Sequence, residues 1–277
     1  MNKGLTSSNM ENKFYGTGSP QLQETNGFDL QLEEIKVQGF TVVEDLMNDE
    51  DLAKASKKLD ATYKDQVQCF GEENLVKIKE KNLVRSPLLY DDFFLSMVLH
   101  PAIINIVKYF LGDYFIINQQ NGIINMPNEA HHQSAWHRDL PYQNYVISKP
   151  IAIAALYCID DFTEERGSTY VIPFSHQLTD IPSNSYLDKF KAPVNAKKGS
   201  VIIFNAMVYH RAGYNSSQFV RRGLNTLFSI PLIIQQINLS RQLNGKFSED
   251  PFLRRLLGYD IQIPDTVEEW RQNRLKK

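Results

Sequence analysis

The spacing of apolar positions along this chain changes character near Gly112. Before it, Leu52, Ala55, Leu59 and Tyr63 fall on one face of a helix, and the acidic turn Asn48-Asp49-Glu50-Asp51 supplies its cap and first-turn charge. Pro101 to Leu111 predicts a second helix, with Gly112 as its C-terminal stop. Ile35, Val37 and the run Phe40 to Val43 alternate as a strand would. After Gly112 come short apolar or β-branched runs: Phe115 to Ile117, Gly122 to Ile124, Ile151 to Ile159, Ser168 to Ile172, Ser200 to Phe204 and Leu224 to Leu232. Turn residues separate them, including Met126-Pro127-Asn128, Glu164 to Gly167, Lys197-Lys198-Gly199 and Asn215-Ser216-Ser217. Strands at that spacing predict a β-sandwich or jelly roll and not a βαβ fold.

The expected architecture is mainly β with flanking helices (α+β), in one domain over residues 28–277. Its β core spans about 113–232, and Ser248 to Lys277 forms one or two capping helices around Leu253, Leu256 and Leu257. Residues 1–27, rich in Ser, Asn, Gln and Gly, are expected to be a flexible leader. No internal repeat is visible.

Composition narrows the function classes. A net charge of −2 with mixed Lys, Arg, Asp and Glu offers no basic face for nucleic acid or an anionic membrane. Cys69 and Cys158 have no metal-ligand spacing and build no disulfide scaffold, which fits a reducing compartment. Cys158, inside an apolar run, is expected to be buried. The N-terminus lacks the apolar stretch of a signal peptide. Met97 to Leu111 is interrupted by His100, Pro101 and Lys108, so it does not span a bilayer. A cytoplasmic protein is expected, and nothing in the pattern sets an oligomeric state.

The informative histidine is His137, in Ala135-Trp136-His137-Arg138-Asp139. Residues i and i+2 of an extended segment point to one face, so His137 and Asp139 can present an imidazole and a carboxylate to a single ion. His210, after the run ending at Phe204 and before Ala212-Gly213-Tyr214-Asn215, is placed to give the third ligand. Two His and one carboxylate form the facial triad of non-haem iron(II) oxygenases, which leaves positions for a 2-oxo acid chelate and O₂. A chelated 2-oxo dicarboxylate needs a cation for its distal carboxylate, and a guanidinium grips that group in two-point fashion. Arg221, eleven residues past His210, is one candidate and Arg222 the other. Strand alternation places them on opposite faces, and with both faces of a jelly-roll sheet buried the pattern does not choose between them.

These blocks resemble the phytanoyl-CoA dioxygenase family: Trp136 to Asp139, then Gly167 to His176, then His210 to Asn215 and Arg221, with the order and spacing of the family over roughly Gly39 to Leu232. The resemblance implies a double-stranded β-helix (cupin-like jelly roll), iron(II), 2-oxoglutarate and O₂. It favours Arg221 over Arg222, because family members place the carboxylate-binding Arg eleven residues past the last His. It also puts Tyr157 beside the co-substrate, and Gln120 on the preceding strand within reach of 2-oxoglutarate or the primary substrate. Phe174 stands where the family usually has Gly, so that turn is expected to be shaped differently. Ala212 replaces a Ser found in some members.

The other histidines read as structural: His176 as a turn or strand cap, His100 at a helix entry, His131 and His132 as exposed loop residues. A zinc hydrolase on the same triad would leave the Arg unexplained, and the open positions of the triad argue against a non-catalytic metal-holding jelly roll, since structural sites are usually closed. Halide-transferring enzymes of related chemistry carry a small residue in place of the carboxylate, so Asp139 predicts hydroxylation or a reaction derived from it. The loops Asn128 to Gln133 and Tyr142 to Ser148 are expected to line the mouth and to suit a small polar substrate.

Overall fold

The computed structural model describes residues 27–140 and 144–275. The leader over residues 1–26 and the mouth residues Tyr142 and Gln143 lie outside the described residues. The strands are β1 (Phe40–Val43), β2 (Leu83–Arg85), β3 (Ile116–Asn125), β4 (Ala152–Cys158), β5 (Thr169–Val171), β6 (Ala192–Val194), β7 (Val201–Asn205), β8 (His210–Ala212) and β9 (Arg221–Ser229). The helices are α1 (Asp29–Val37), α2 (Asp49–Phe70), α3 (Glu72–Lys77), α4 (Phe93–Val98), α5 (Pro101–Leu111), α6 (Asn184–Phe190), α7 (Leu239–Leu243), α8 (Pro251–Leu256) and α9 (Val267–Leu275).

Six strands form an antiparallel sheet in the order β1-β7-β4-β9-β3-β2, and three form a smaller one in the order β6-β5-β8. The two sheets enclose one core, and helices cover the outer face of the larger sheet with a second. Side-chain alternation sorts the strands of the larger sheet between them. Leu156, Cys158, Ile202, Phe204 and Leu227 pack between the sheets. Ile153, Ala155, Tyr157, Val201, Ile203, Leu224 and Phe228 face the helices, against Leu59, Phe94, Ile103 and Val107. The expected jelly roll with flanking helices is therefore the observed fold.

Helix α2 starts where its cap residues predict, with the Asn48 side chain accepting from Asp51 N at 2.8 Å. Helix α5 ends at Gly112, at φ +85°. Elsewhere the local pattern misled. Ile35 and Val37 belong to helix α1, where Leu32 and Ile35 are buried three residues apart while Val37 is 59% exposed. The expected runs at Phe115 and Gly122 are one strand, because Asn118, Gln119, Gln120 and Asn121 between them find hydrogen-bond partners inside the fold. Strand β9 begins at Arg221, three residues before the expected Leu224, which brings Arg221 into register opposite Asn125. Strands β2, β6 and β8 are three residues long, too short to show periodicity.

Phe174 adopts φ +66°, ψ −2°, the left-handed conformation that a glycine takes without strain. Its side chain is 54% exposed, so little burial offsets that strain. Phe174→Gly is expected to leave stability unchanged or to raise it by up to about 1 kcal/mol, because relief of the backbone strain competes with the added freedom of the unfolded chain. Phe174→Val is expected to lower it, since a β-branched residue tolerates this region worst. Urea unfolding of the three proteins gives the order; Val at or above Phe would refute the strain.

Candidate metal centre

The segment carrying His137 and Asp139 is held against the small sheet by its backbone. His137 and His210 exchange N–H···O=C bonds in both directions, each 3.0 Å, and Asp139 N donates to Ala206 O at 3.1 Å. This pairing brings the His-x-Asp segment beside β8, which is itself seated by the pair Val171 and His210 across β5. One potential ligand atom each from His137, Asp139 and His210 lies within 4.8 Å of the others, and among the described residues this is the cluster with the makings of a metal site.

Each imidazole has one nitrogen committed. Nδ1 of His137 lies 2.8 Å from Ala135 O, and Nδ1 of His210 lies 3.0 Å from Val208 O. A carbonyl oxygen only accepts, so both Nδ1 atoms carry the proton and both Nε2 atoms are left for a ligand. His210 Nε2 is 3.4 Å from Asp139 Oδ1. The other carboxylate oxygen, Oδ2, accepts from the Asn225 amide at 3.1 Å.

Burial raises the Asp139 carboxyl, but His210, His137 and the Asn225 amide together outweigh it and hold it below the usual carboxylate range. Burial depresses the His210 imidazole, and the adjacent Asp139 charge more than restores it, so the net direction is upward. Burial pushes the His137 imidazole down to about 4, with His210 acting the same way. An ionised carboxylate thus faces one imidazole that attracts a proton and one that repels it. A divalent cation among the three satisfies all of them.

Of the two candidate arginines, Arg221 has the surroundings that suit an anion. It lies on the inner face of β9, 1% exposed, with its guanidinium 4.3 Å from the centroid of the Phe162 ring. Its Nε and Nη2 are buried without hydrogen-bond partners, and no carboxylate among the described residues pairs with it. Burial pushes it down to about 10, which still leaves it cationic at neutral pH. Arg222 points to the helix side, where Asp60 and Asp160 neutralise it at 2.8 and 3.1 Å. A buried guanidinium without a counter-charge is costly unless an anion completes it. Arg221 opens onto the same cavity as the triad, together with Ile123, Gln133, Leu156, Phe204 and Asn225. The donor set and this orphaned cation fit iron(II) and a 2-oxo dicarboxylate.

Tyr157 and Gln120, expected beside the co-substrate, are on the other face of the large sheet. Tyr157 alternates with Leu156, so Leu156 lines the metal cavity and Tyr157 sits in the helix-side core, lining a separate cavity of about 300 Å³ with Met47, Phe93 and Met97. Gln120 is fully buried and bonds to Leu88 N, Phe94 O and Thr226 Oγ1. One residue along each strand reverses the face. His131 is buried and not exposed as expected: it caps a short 3₁₀ turn by accepting from Gln133 N at 3.2 Å, and burial lowers its imidazole to about 3. His176 is away from the triad, with Nε2 3.2 Å from Lys36 O, as a structural residue would be. Of the mouth loops, Gln133 reaches the metal cavity, whereas Val146, Ile147 and Ser148 line a different cleft beside His176. Sequence reasoning missed Asn225; the signal was its even spacing of four residues from Arg221, which places both on one face of a strand.

A profile described as phytanoyl-CoA dioxygenase matches residues 35–223. An uncharacterised protein of Mycobacterium tuberculosis is 30% identical over 244 residues, covering 84% of this chain and 88% of that protein. A dioxygenase of Aspergillus fumigatus, af480, is 26% identical over 177 residues, covering 60% of this chain and 55% of that protein. Among solved structures, EctD from S. alaskensis with 2-oxoglutarate and 5-hydroxyectoine superimposes with a TM-score of 0.63 at 16% identity, covering 76% of this chain and 80% of that one. The epimerase SnoN in complex with Fe3+, alpha ketoglutarate and nogalamycin RO gives 0.54 at 17%, covering 74% and 84%. At these identities the structural likeness speaks for the fold.

Proposed function

This chain belongs to the phytanoyl-CoA dioxygenase family, and we propose that, as an iron(II)- and 2-oxoglutarate-dependent dioxygenase, it hydroxylates a small polar molecule. The observation that carries the reading is Arg221: a buried cation with no ion-pair partner among the described residues, opening onto the same cavity as two imidazoles and a carboxylate. A zinc hydrolase or a structural metal site gives that cation nothing to do.

When bound, iron and 2-oxoglutarate activate O₂ and supply the oxidising power. His137 and His210 would hold the metal through Nε2 and Asp139 through its carboxylate, and Arg221 would receive the distal carboxylate of 2-oxoglutarate. Ile123, Leu156 and Phe204 line the cavity with apolar surface, which excludes water and strengthens the Arg221 charge within it. Asn225, Gln133 and Thr169 are the uncharged polar groups lining the same cavity. They suit a hydrogen-bonding substrate, and the structural relatives EctD and SnoN are each solved with a small molecule. The family name implies no acyl-CoA substrate here. No helix of the described residues is long and apolar enough to cross a membrane. Cys69 and Cys158 are unpaired, which fits a reducing, cytoplasmic setting.

Anaerobic addition of Fe(II) and then 2-oxoglutarate is expected to give a weak visible metal-to-ligand charge-transfer band that neither gives alone. Its absence would remove the reading. Asp139 occupies the position a halide would need, so turnover in chloride- and bromide-rich buffer is expected to yield a product heavier by oxygen from labelled O₂, or a desaturated one. A halogenated product from the unaltered protein would show that Asp139 is not a ligand.

A further inference from the structure

We infer that Asn225 is a positioning residue that holds Asp139 to one-oxygen ligation, and so keeps open a metal position that 2-oxoglutarate needs. The inference rests on the iron and 2-oxoglutarate reading above.

Asp139 offers two oxygens, and the structure treats them differently. Oδ1 lies beside His210 Nε2 at 3.4 Å. Oδ2 is engaged by Asn225 Nδ2 at 3.1 Å. The polarity of that contact is set by charge: an ionised carboxylate only accepts, so the amide must turn its NH₂ toward Asp139. Its own oxygen, Oδ1, is then left buried without a partner. The bond to Asp139 is the hydrogen bond this side chain makes among the described residues.

The neighbours show that the fold does not require an amide here. Asn225 stands in register between Leu156 of β4 and Asn121 of β3, on the face where Leu227 and Ile123 also point. A leucine would fill that place without stranding a carbonyl oxygen. The orphaned acceptor is therefore maintained for what the NH₂ does at Oδ2. A carboxylate with both oxygens free can chelate a metal and fill two positions. Three protein ligands using one atom each leave three positions of six, enough for a chelating 2-oxo acid and O₂. A chelating Asp139 would leave two.

Isosteric Asn225→Leu separates this from a structural role, because the two predict different changes. The positioning role predicts that Co(II) affinity, measured by titration on the full chain without co-substrate, is kept or raised, since a second oxygen becomes available. It also predicts that 2-oxoglutarate affinity on the Fe(II)-loaded protein, read from the charge-transfer band under anaerobic conditions, falls by about 10-fold although Arg221 is untouched. Unchanged 2-oxoglutarate affinity, or Co(II) and 2-oxoglutarate affinities falling together, would overturn the inference. Asn225→Ala repeats the measurement without the risk of overpacking, should the leucine variant fold poorly. If the unaltered protein gives no charge-transfer band, the iron and 2-oxoglutarate reading fails first. If it does and the variants match it, the positioning role alone fails.

Discussion

His210→Ala is expected to abolish iron binding at micromolar metal while the fold persists, and His137→Ala to do the same. Each is one of the three proposed protein ligands, and with two remaining the site would offer no more than a partial face to the ion. The fold survives because the two segments are joined by backbone, through the reciprocal His137–His210 bonds, which an alanine keeps. Fe(II) titration checks the first part, and the far-ultraviolet circular dichroism spectrum and urea midpoint check the second. Undiminished iron binding and turnover in either variant would mean that the triad is misassigned.

Arg221→Ala is expected to raise the apparent KM for 2-oxoglutarate by roughly 100-fold, on the order of 3 kcal/mol, since the distal carboxylate would be buried without its partner. Arg222→Ala is expected to act on stability instead, because it strands Asp60 and Asp160 on the helix side. The two arginines thus separate by readout as well as by size of effect. Arg221→Met adds a further contrast. In the absence of co-substrate it removes a buried, uncompensated charge, so it is expected to melt no lower than the unaltered protein while failing to gain stability when 2-oxoglutarate and Fe(II) are added. A larger KM effect at Arg222 would show that the assigned sheet face is wrong by one residue.

Much of this site was legible before any coordinates. His137 and Asp139 share a face because they are two apart in extended chain, a relation that is local and needs no tertiary information. The cap at Asn48 and the stop at Gly112 were likewise local, and both stand. The short strands β2, β6 and β8 were not legible, since three residues carry no period and are held by their partners across the sheet. Helix α1 was misread because Ile35 and Val37 alternate locally, whereas burial follows the three-residue spacing from Leu32 to Ile35.

The sequence by itself determined the fold class, the three candidate metal ligands and the pair of adjacent arginines proposed to anchor the co-substrate. Tertiary structure decided which face each strand residue shows. Both faces of the large sheet are buried, one under helices and one under the small sheet, so hydrophobicity does not distinguish inside from outside along β3, β4 or β9. Register alone does, and a step of one residue exchanges the faces. That step turned Tyr157 and Gln120 away from the metal, gave Arg222 two aspartates, and left Arg221 and Asn225 together in the cavity. The same dependence on distant contacts buried His131, whose polar loop sequence reads as exposed.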